Sequence, residues 1–280
     1  MNKNIEVLVH GYQAHLDEVM AATLIAIHTD YEVNITRDSN IKNTDGFDYI
    51  LDTGMKFDGI KFFDHHQDDE NVNGKSAAGL VYDTFFSHIK GDLETLVERI
   101  NFQDNNGLSA YAETIGSDSK TLTPLLTIEK GLVKLFETQP DMVINTIMVP
   151  MVKGIIDNYI ATEKAKQFIE DNSIIEHIGN VNVLKLTKKF DGPAYVLNMS
   201  QVDYVDQNDI HVVYSYDDRT AGRVLFRTHR GESQNIDFTK STPADTVFIH
   251  KAGFMCKFNP ATDTEYIQLI KQSVGADINE

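Results

Sequence analysis

Short apolar runs separated by polar turns dominate the first third of the chain. IEVLVH (5–10), EVNIT (32–36), DYILDT (48–53) and GIKFFD (59–64) each suit a buried strand. Between the first two, EVMAATLIAIH (18–28) reads as a helix. SAAGLVYDTFFSHI (76–89) reads as another, with Ser76 as a natural N-cap and Val81, Phe85 and Ile89 at helical spacing. Strands alternating with helices predict an α/β fold with a mostly parallel sheet. In that class ligands gather outside the carboxyl ends of the strands.

The pattern then changes twice. Residues 93–171 read as mainly helical, and Pro150 suits the first turn of a helix over 151–171 whose charged second half looks like a connector. From about 173 short strands return, at 180–186, 209–216, 222–228 and 245–250, and a helix near 262–274 closes the chain. No internal repeat or low-complexity tract is evident. The simplest division is a parallel-sheet N-terminal domain (1–145), a helical connector (146–172) and a smaller mixed α/β C-terminal domain (173–280).

Composition narrows the class. The chain is 41% hydrophobic and 24% charged, as expected of a soluble globular protein. It contains neither the long apolar run of a membrane span nor a signal peptide at its start. A single cysteine, Cys256, excludes a disulfide framework and a thiolate zinc cage made from this chain alone. The cytoplasm is therefore the expected compartment. A net charge of −17 argues against a general nucleic-acid coat protein. It leaves room for an enzyme that holds cations among its acids.

Four segments place polar groups where strands should end. VHGYQAHLDE puts His10, His15, Asp17 and Glu18 on the turn after the first strand, ILDTG ends with Asp52, and FFDHHQ ends with Asp64, His65 and His66. The fourth is Asp104 in NFQDNNG, expected just past a helix. A lone strand-end aspartate is ordinarily a turn former or cap, and a lone histidine is ordinarily surface or satisfied core. The combination is different. Two carboxylates ~4 Å apart repel by roughly 4 kcal/mol at an effective dielectric near 20, so a shared pocket calls for cations or shifted pKa values. A mixed Asp/His set without thiolates suits manganese first, with magnesium or iron as alternatives, over a structural zinc. Two such ions can clamp a phosphate and activate a water.

These segments, in this order, resemble the DHH phosphoesterase superfamily, whose name-giving motif stands here as Asp64-His65-His66. HGYQAHLDE (10–18), FDHHQ (63–67), SAAGLVYDTF (76–85), QDNNG (103–107) and VFIHKAGF (247–254) look like its melanocyte-proliferating-gene branch, described as metal-dependent RNA exonucleases. The resemblance implies a DHH-type catalytic domain, two divalent metal ions, and a single-stranded RNA or short oligonucleotide substrate degraded 3′ to 5′. It gives His15 and Asp17 the places of the paired first-motif carboxylates. Asp52 would bridge both metals, His65 would ligate one, Asp104 would complete the cage, and His10 would be a further ligand. His66 would contact the scissile phosphate or leaving group, with Asp64 orienting the histidine pair. His15 departs from the aspartate common in the superfamily, which removes one negative charge from the site.

In the C-terminal part, GRVLFRTHRG places Arg223, Leu225, Arg227 and His229 on one strand face and Val224, Phe226 and Thr228 on the other. With Arg219, Arg230, Lys251 and Lys257 this is a local basic patch. It reads either as a phosphate-backbone clamp or as charges paired with acids across a domain interface. His250 ends a strand, and Gly253 could let backbone approach a ligand; by resemblance this region docks substrate. Arg223, Arg227, His250, Lys251 and Gly253 are accordingly the candidate substrate-binding residues.

Three rival readings remain. A manganese inorganic pyrophosphatase or small-nucleotide phosphodiesterase keeps the site and changes the substrate. A zinc-dependent N-deacetylase is suggested by AHLDE (14–18), but leaves Asp52 and the tandem histidines without a role. A non-catalytic metal-binding protein would keep the ligands without turnover. A homo-oligomer stays open.

Overall fold

The computed structural model describes residues 4–40, 43–67, 70, 72, 74–192, 194–217 and 220–274. It is an α/β structure in two compact units, residues 1–159 and 160–280. Each unit has its own sheet and its own core.

The first unit is built on β1 (Asn4–Val9), β2 (Glu32–Arg37), β3 (Tyr49–Leu51) and β4 (Phe62–Phe63). They lie in the order β2-β1-β3-β4, every pair parallel. The sheet is therefore of the kind the alternating pattern predicts. Helix α1 (Leu16–Thr29) makes the crossover from β1 to β2 and is buried throughout residues 17–26. A helix covered on every side needs apolar residues on every face, which Val19, Met20, Ala21, Ala22, Leu24 and Ile25 supply. Its two acids, Asp17 and Glu18, stand in the first turn, where the helix dipole favours negative charge.

Two strands are shorter than their apolar runs. The Asp58 carboxylate accepts the backbone N–H groups of Ile60, Lys61 and Phe62 at 3.0, 2.8 and 2.9 Å. That turn takes the donors of residues 60–62, so β4 begins only at Phe62. β3 stops at Leu51 because Asp52 turns into the left-handed region with φ 53°.

Helix α2 (Ala77–Phe85) is capped by Ser76, whose hydroxyl accepts the N–H of Gly79 at 3.4 Å. It ends four residues short of the expected Ile89. The chain turns instead, and the Tyr82 hydroxyl donates to the Ile89 carbonyl at 2.6 Å. Helix α3 (Asp92–Thr114) continues past the point where a helix end was expected, so Asp104 lies inside it. The break comes three residues later, at Gly107 (φ 81°, ψ 164°).

Helices α4 (Ser119–Leu125), α5 (Thr127–Phe136) and α6 (Pro140–Met142) follow, then a π-helical turn (Val143–Met148) and α7 (Val149–Asn172). The wide turn sits immediately before Pro150. Proline has no N–H to donate and its ring collides with the carbonyl four residues back, and a wider turn relieves that conflict. From this stretch Asn145 bonds both backbone groups of Val33, and Asp141 accepts the N–H of Ile35 at 2.7 Å. The open side of edge strand β2 is satisfied in this way.

The second unit carries a mixed sheet in the order β5-β6-β7-β8-β10-β9. Its strands are β5 (Ser173–Ile178), β6 (Val181–Leu186), β7 (Val212–Tyr216), β8 (Arg223–Arg227), β9 (Thr246–Ile249) and β10 (Met255–Phe258). Only β6 and β7 pair in parallel. One face packs Val183, Val212, Tyr214, Leu225, Cys256 and Phe258 against helix α9 (Glu265–Ser273). The other buries Leu184, Leu186 and Val213 against the second half of α7 and helix α8 (Ala194–Gln207). Cys256 is core, and burial pushes its thiol up to about 11. Among the described residues no helix is long and apolar enough to cross a membrane.

Candidate metal centre

The carboxyl ends of β1, β3 and β4 converge as the fold class predicts. His10 follows β1, and His15 is the N-cap residue of α1 with no side-chain cap bond, which leaves its ring half exposed. The turn between them is fastened by Arg37, which donates to the Tyr12 carbonyl at 2.6 Å, and by Ser39, which accepts the Gly11 N–H at 2.7 Å. Asp52 follows β3, and Asp64, His65 and His66 follow β4. Asp104 reaches the same place from α3.

Asp52 sits at the centre. Its Oδ2 is 3.1 Å from His10 Nε2 and its Oδ1 is 3.2 Å from His65 Nε2. His65 Nε2 is also 3.2 Å from Asp104 Oδ2, and His15 Nδ1 is 3.9 Å from Asp104 Oδ1. Asp17 accepts the backbone N–H of Ala77 at 3.0 Å and of Ala78 at 2.6 Å. Three sets of ligand atoms lie within 4.8 Å of one another: His10, His15 and Asp52; Asp17, His65 and Asp104; and Asp52, His65 and His66. Asp52 and His65 each belong to two of them.

Asp64 does different work. Its Oδ2 accepts the Met55 N–H at 2.6 Å, while its Oδ1 takes His66 Nδ1 at 2.7 Å and the His66 N–H at 3.1 Å. A carboxylate can only accept, so His66 presents Nδ1–H to Asp64 and keeps Nε2 for another partner.

The protonation of the cluster follows from crowding. Burial opposes charge on His10, but hydrogen bonds to Asp52 and Glu18 outweigh it and raise its pKa to about 10. His65 likewise rises to about 9 against burial, through Asp52 and the charges of Asp17 and Asp104. Burial would raise Asp52, yet its contacts with the two histidines bring it down to about 2. Asp17 is raised to about 8 by burial and by repulsion from Asp52 and Asp104. Asp104 is raised too, burial first. The centre thus holds protons where cations would otherwise balance its acids.

Such a donor set fits divalent cations. Three aspartates and four histidines converge, and Asp52 Oδ1 is buried with no well-aligned hydrogen bond among the described residues. Every metal-ligand and catalytic candidate, His10, His15, Asp17, Asp52, Asp64, His65, His66 and Asp104, falls in this one cluster.

Two residues at the site carried no assigned role in the sequence. Glu18 is fully buried and contacts His10 Nε2, with Arg37 Nη2 3.4 Å from its other oxygen. Their signal was an acid beside Asp17 and an arginine closing a strand, 19 residues apart in sequence. The pairing is visible only once β1 and β2 lie side by side.

The candidate substrate residues all belong to the second unit. Arg223, Leu225 and Arg227 share the face that packs on α9. The Arg223 guanidinium lies over the Tyr216 ring at 3.8 Å, and Arg227 donates to the Ile236 carbonyl at 2.7 Å. His229 and Arg230 share Asp206, at 2.8 and 2.9 Å, and Lys257 lies 2.5 Å from Asp217. The basic patch is therefore paired largely within its own unit; Arg219 lies outside the described residues. Lys251 is exposed. The His250 ring lies 4.0 Å from that of Phe254, tilted by 39°. Gly253 has φ 68°, and a Cβ there would come within 2.1 Å of Asp237 Oδ1. What approaches its backbone is thus Asp237.

Residues 6–171 match the family model MYG1_exonuc, described as Uncharacterised protein family (UPF0160). That match takes in more than half of the chain and the whole candidate cluster. The chain belongs to this family. Two relatives are similar to it. A MYG1 protein of Schizosaccharomyces pombe is 31% identical over 137 residues, which is 40% of this chain and 42% of that protein. A MYG1 protein of Saccharomyces cerevisiae is 23% identical over 309 residues, 89% of this chain and 90% of that protein. The chain thus spans under half of the first relative's length and most of the second's. The family name is that of an exonuclease, and its model includes each ligand candidate.

Proposed function

We propose that this protein is a metal-dependent phosphodiester hydrolase of DHH type that removes nucleotides from RNA, 3′ to 5′. The observation that carries the reading is the position of Asp52: it belongs to one ligand set with His10 and His15, and its Oδ1 lies 3.2 Å from His65, which belongs to another with Asp17 and Asp104. A single carboxylate shared between two sites is the arrangement that a pair of cations about 3.5–4 Å apart requires.

His10, His15 and Asp52 would hold one cation, and Asp17, His65, Asp104 and Asp52 the other. When bound, the two cations, manganese first, would supply charge neutralisation at the phosphate and a water acidic enough to attack near neutral pH. The protein's own groups do the rest. Asp17 is fixed by two backbone N–H groups and cannot swing. Asp64 fixes the ring of His66, which meets the substrate: protonated, its Nε2 donates to a phosphoryl oxygen or passes a proton to the departing oxygen. Glu18 and Arg37 hold His10 and the following turn in place.

The test is hydrolysis of short RNA labelled at either end, with manganese and with chelator, by wild type and His65→Ala. Manganese-dependent laddering from the 3′ end that the variant lacks is expected. Hydrolysis of pyrophosphate in place of RNA would retain the centre and remove RNA as its substrate.

A further inference from the structure

A cavity of about 650 Å³ opens in the first unit directly beside the metal centre. His15, Asp17 and Asp104 form part of its wall, so whatever fills it is in reach of the groups that would hold the cations. Its volume falls within the roughly 300–1,000 Å³ of small-molecule sites. The remaining wall is chiefly aliphatic: Leu16, Ile100, Leu108, Leu126 and Val133.

Two polar features set it apart from a packing defect. Gln103 lines it, and its Nε2 is buried without a hydrogen-bond partner among the described residues. A buried donor left unmet is costly unless a ligand answers it. Among its charged lining residues, Glu129 is held by both terminal Arg99 nitrogens, at 2.9 and 2.6 Å, and Lys134 is paired with Glu137. Lys130, beside them, has no carboxylate partner among the described residues. The cavity therefore offers aliphatic walls, the amides of Gln13 and Gln103 and the Lys130 ammonium, beside the acidic centre.

We infer that this cavity seats one terminal nucleoside of the substrate, its base between the aliphatic walls and its acceptor edge on Gln103 and Lys130. The inference rests on the phosphodiesterase reading and extends it to the substrate's end group. Inorganic pyrophosphate has nothing to place against Leu108 or Val133. One nucleoside at a chain end fits a space of this volume. Confinement of a single end residue is what makes a nuclease remove nucleotides one at a time.

The test uses wild type, Leu108→Trp, which fills the space from outside the core cluster, and Lys130→Glu at an exposed position that leaves folding intact. Kinetics are measured with manganese on short RNA and on bis(4-nitrophenyl) phosphate, and AMP binding is followed by calorimetry. For Leu108→Trp, kcat/KM on RNA is expected to fall at least about ten-fold further than on the aryl diester, chiefly through KM. AMP affinity is expected to fall in parallel, and Lys130→Glu to shift both in the same direction. Equal losses on the two substrates, or unchanged RNA cleavage and AMP binding in both variants, would overturn the cavity assignment while leaving hydrolysis standing. If wild type cleaves no phosphodiester but binds AMP, and Leu108→Trp abolishes that binding, the cavity stands and the hydrolytic reading falls.

Discussion

Asp17 accepts the backbone N–H of Ala78 at 2.6 Å across 61 residues of sequence, joining the first turn of α1 to the first turn of α2. With the Ala77 bond at 3.0 Å, it caps a second helix while facing the metal centre. Asp17→Ala leaves two buried donors unmet, at about 1–3 kcal/mol each. Asp17→Asn keeps one acceptor. In chelator, urea unfolding is expected to rank wild type above Asn above Ala, and manganese is expected to raise the Tm of wild type but of neither variant.

The raised pKa values fix how stability follows pH. Asp17 titrates at about 8 in the fold against 3.8 unfolded, and His10 at about 10 against 6.5. The folded state therefore binds more protons between the paired values, and stability falls as pH rises. Asp17 contributes to this loss from about pH 4 to 8, and His10 from about pH 6.5 to 10. Chelated protein should melt progressively lower from pH 5 to pH 9. Manganese should reverse the trend, because cation binding displaces those protons and strengthens with pH. A flat profile in chelator would contradict the assigned cluster.

His66 and His65 should separate cleanly. His66→Ala removes a group that meets substrate, and is expected to lower kcat by about 10²–10⁴-fold while keeping the manganese-induced rise in Tm. His65→Ala should lose both. Asp64→Asn disturbs the His66 ring from behind, and a loss of about 10–100-fold is expected.

Arg37 faces a fully buried Glu18 and also supports the Tyr12 carbonyl. Arg37→Leu strands that carboxylate, a change worth about 3–5 kcal/mol where one partner of a buried pair is removed. Denaturant unfolding checks this. A loss below about 1 kcal/mol would mean that His10 alone balances Glu18.

The centre was legible because its residues end apolar runs. His10, Asp52 and Asp64 each follow a strand-forming segment, and the α/β pattern says that such ends meet. Helix limits were harder to read. Asp104 was expected beyond a helix, since QDNNG reads as a terminator, yet the asparagines bond carbonyls one turn back, Asn105 to Asn101 and Asn106 to Phe102. Helix α8 carries no clear apolar stripe, and β5 follows α7 without a proline or glycine to mark the junction. The arginines of β8 had the right periodicity, but which face α9 would cover is a tertiary fact. Leu225, buried between them, was the available clue.

Gly107 divides α3 at a single residue, with Asp104 on one side and Leu108 on the other. Part of the chamber wall, Leu108, Leu126 and Val133, thereby comes from chain beyond the break, while Ile100 and Gln103 stand on the same side as Asp104. Mutations accumulating in residues 108–137 can remodel the chamber while Asp104 keeps its place. On the proposed reading, end-group preference would be free to drift from one descendant to the next under selection that holds the acids and histidines constant.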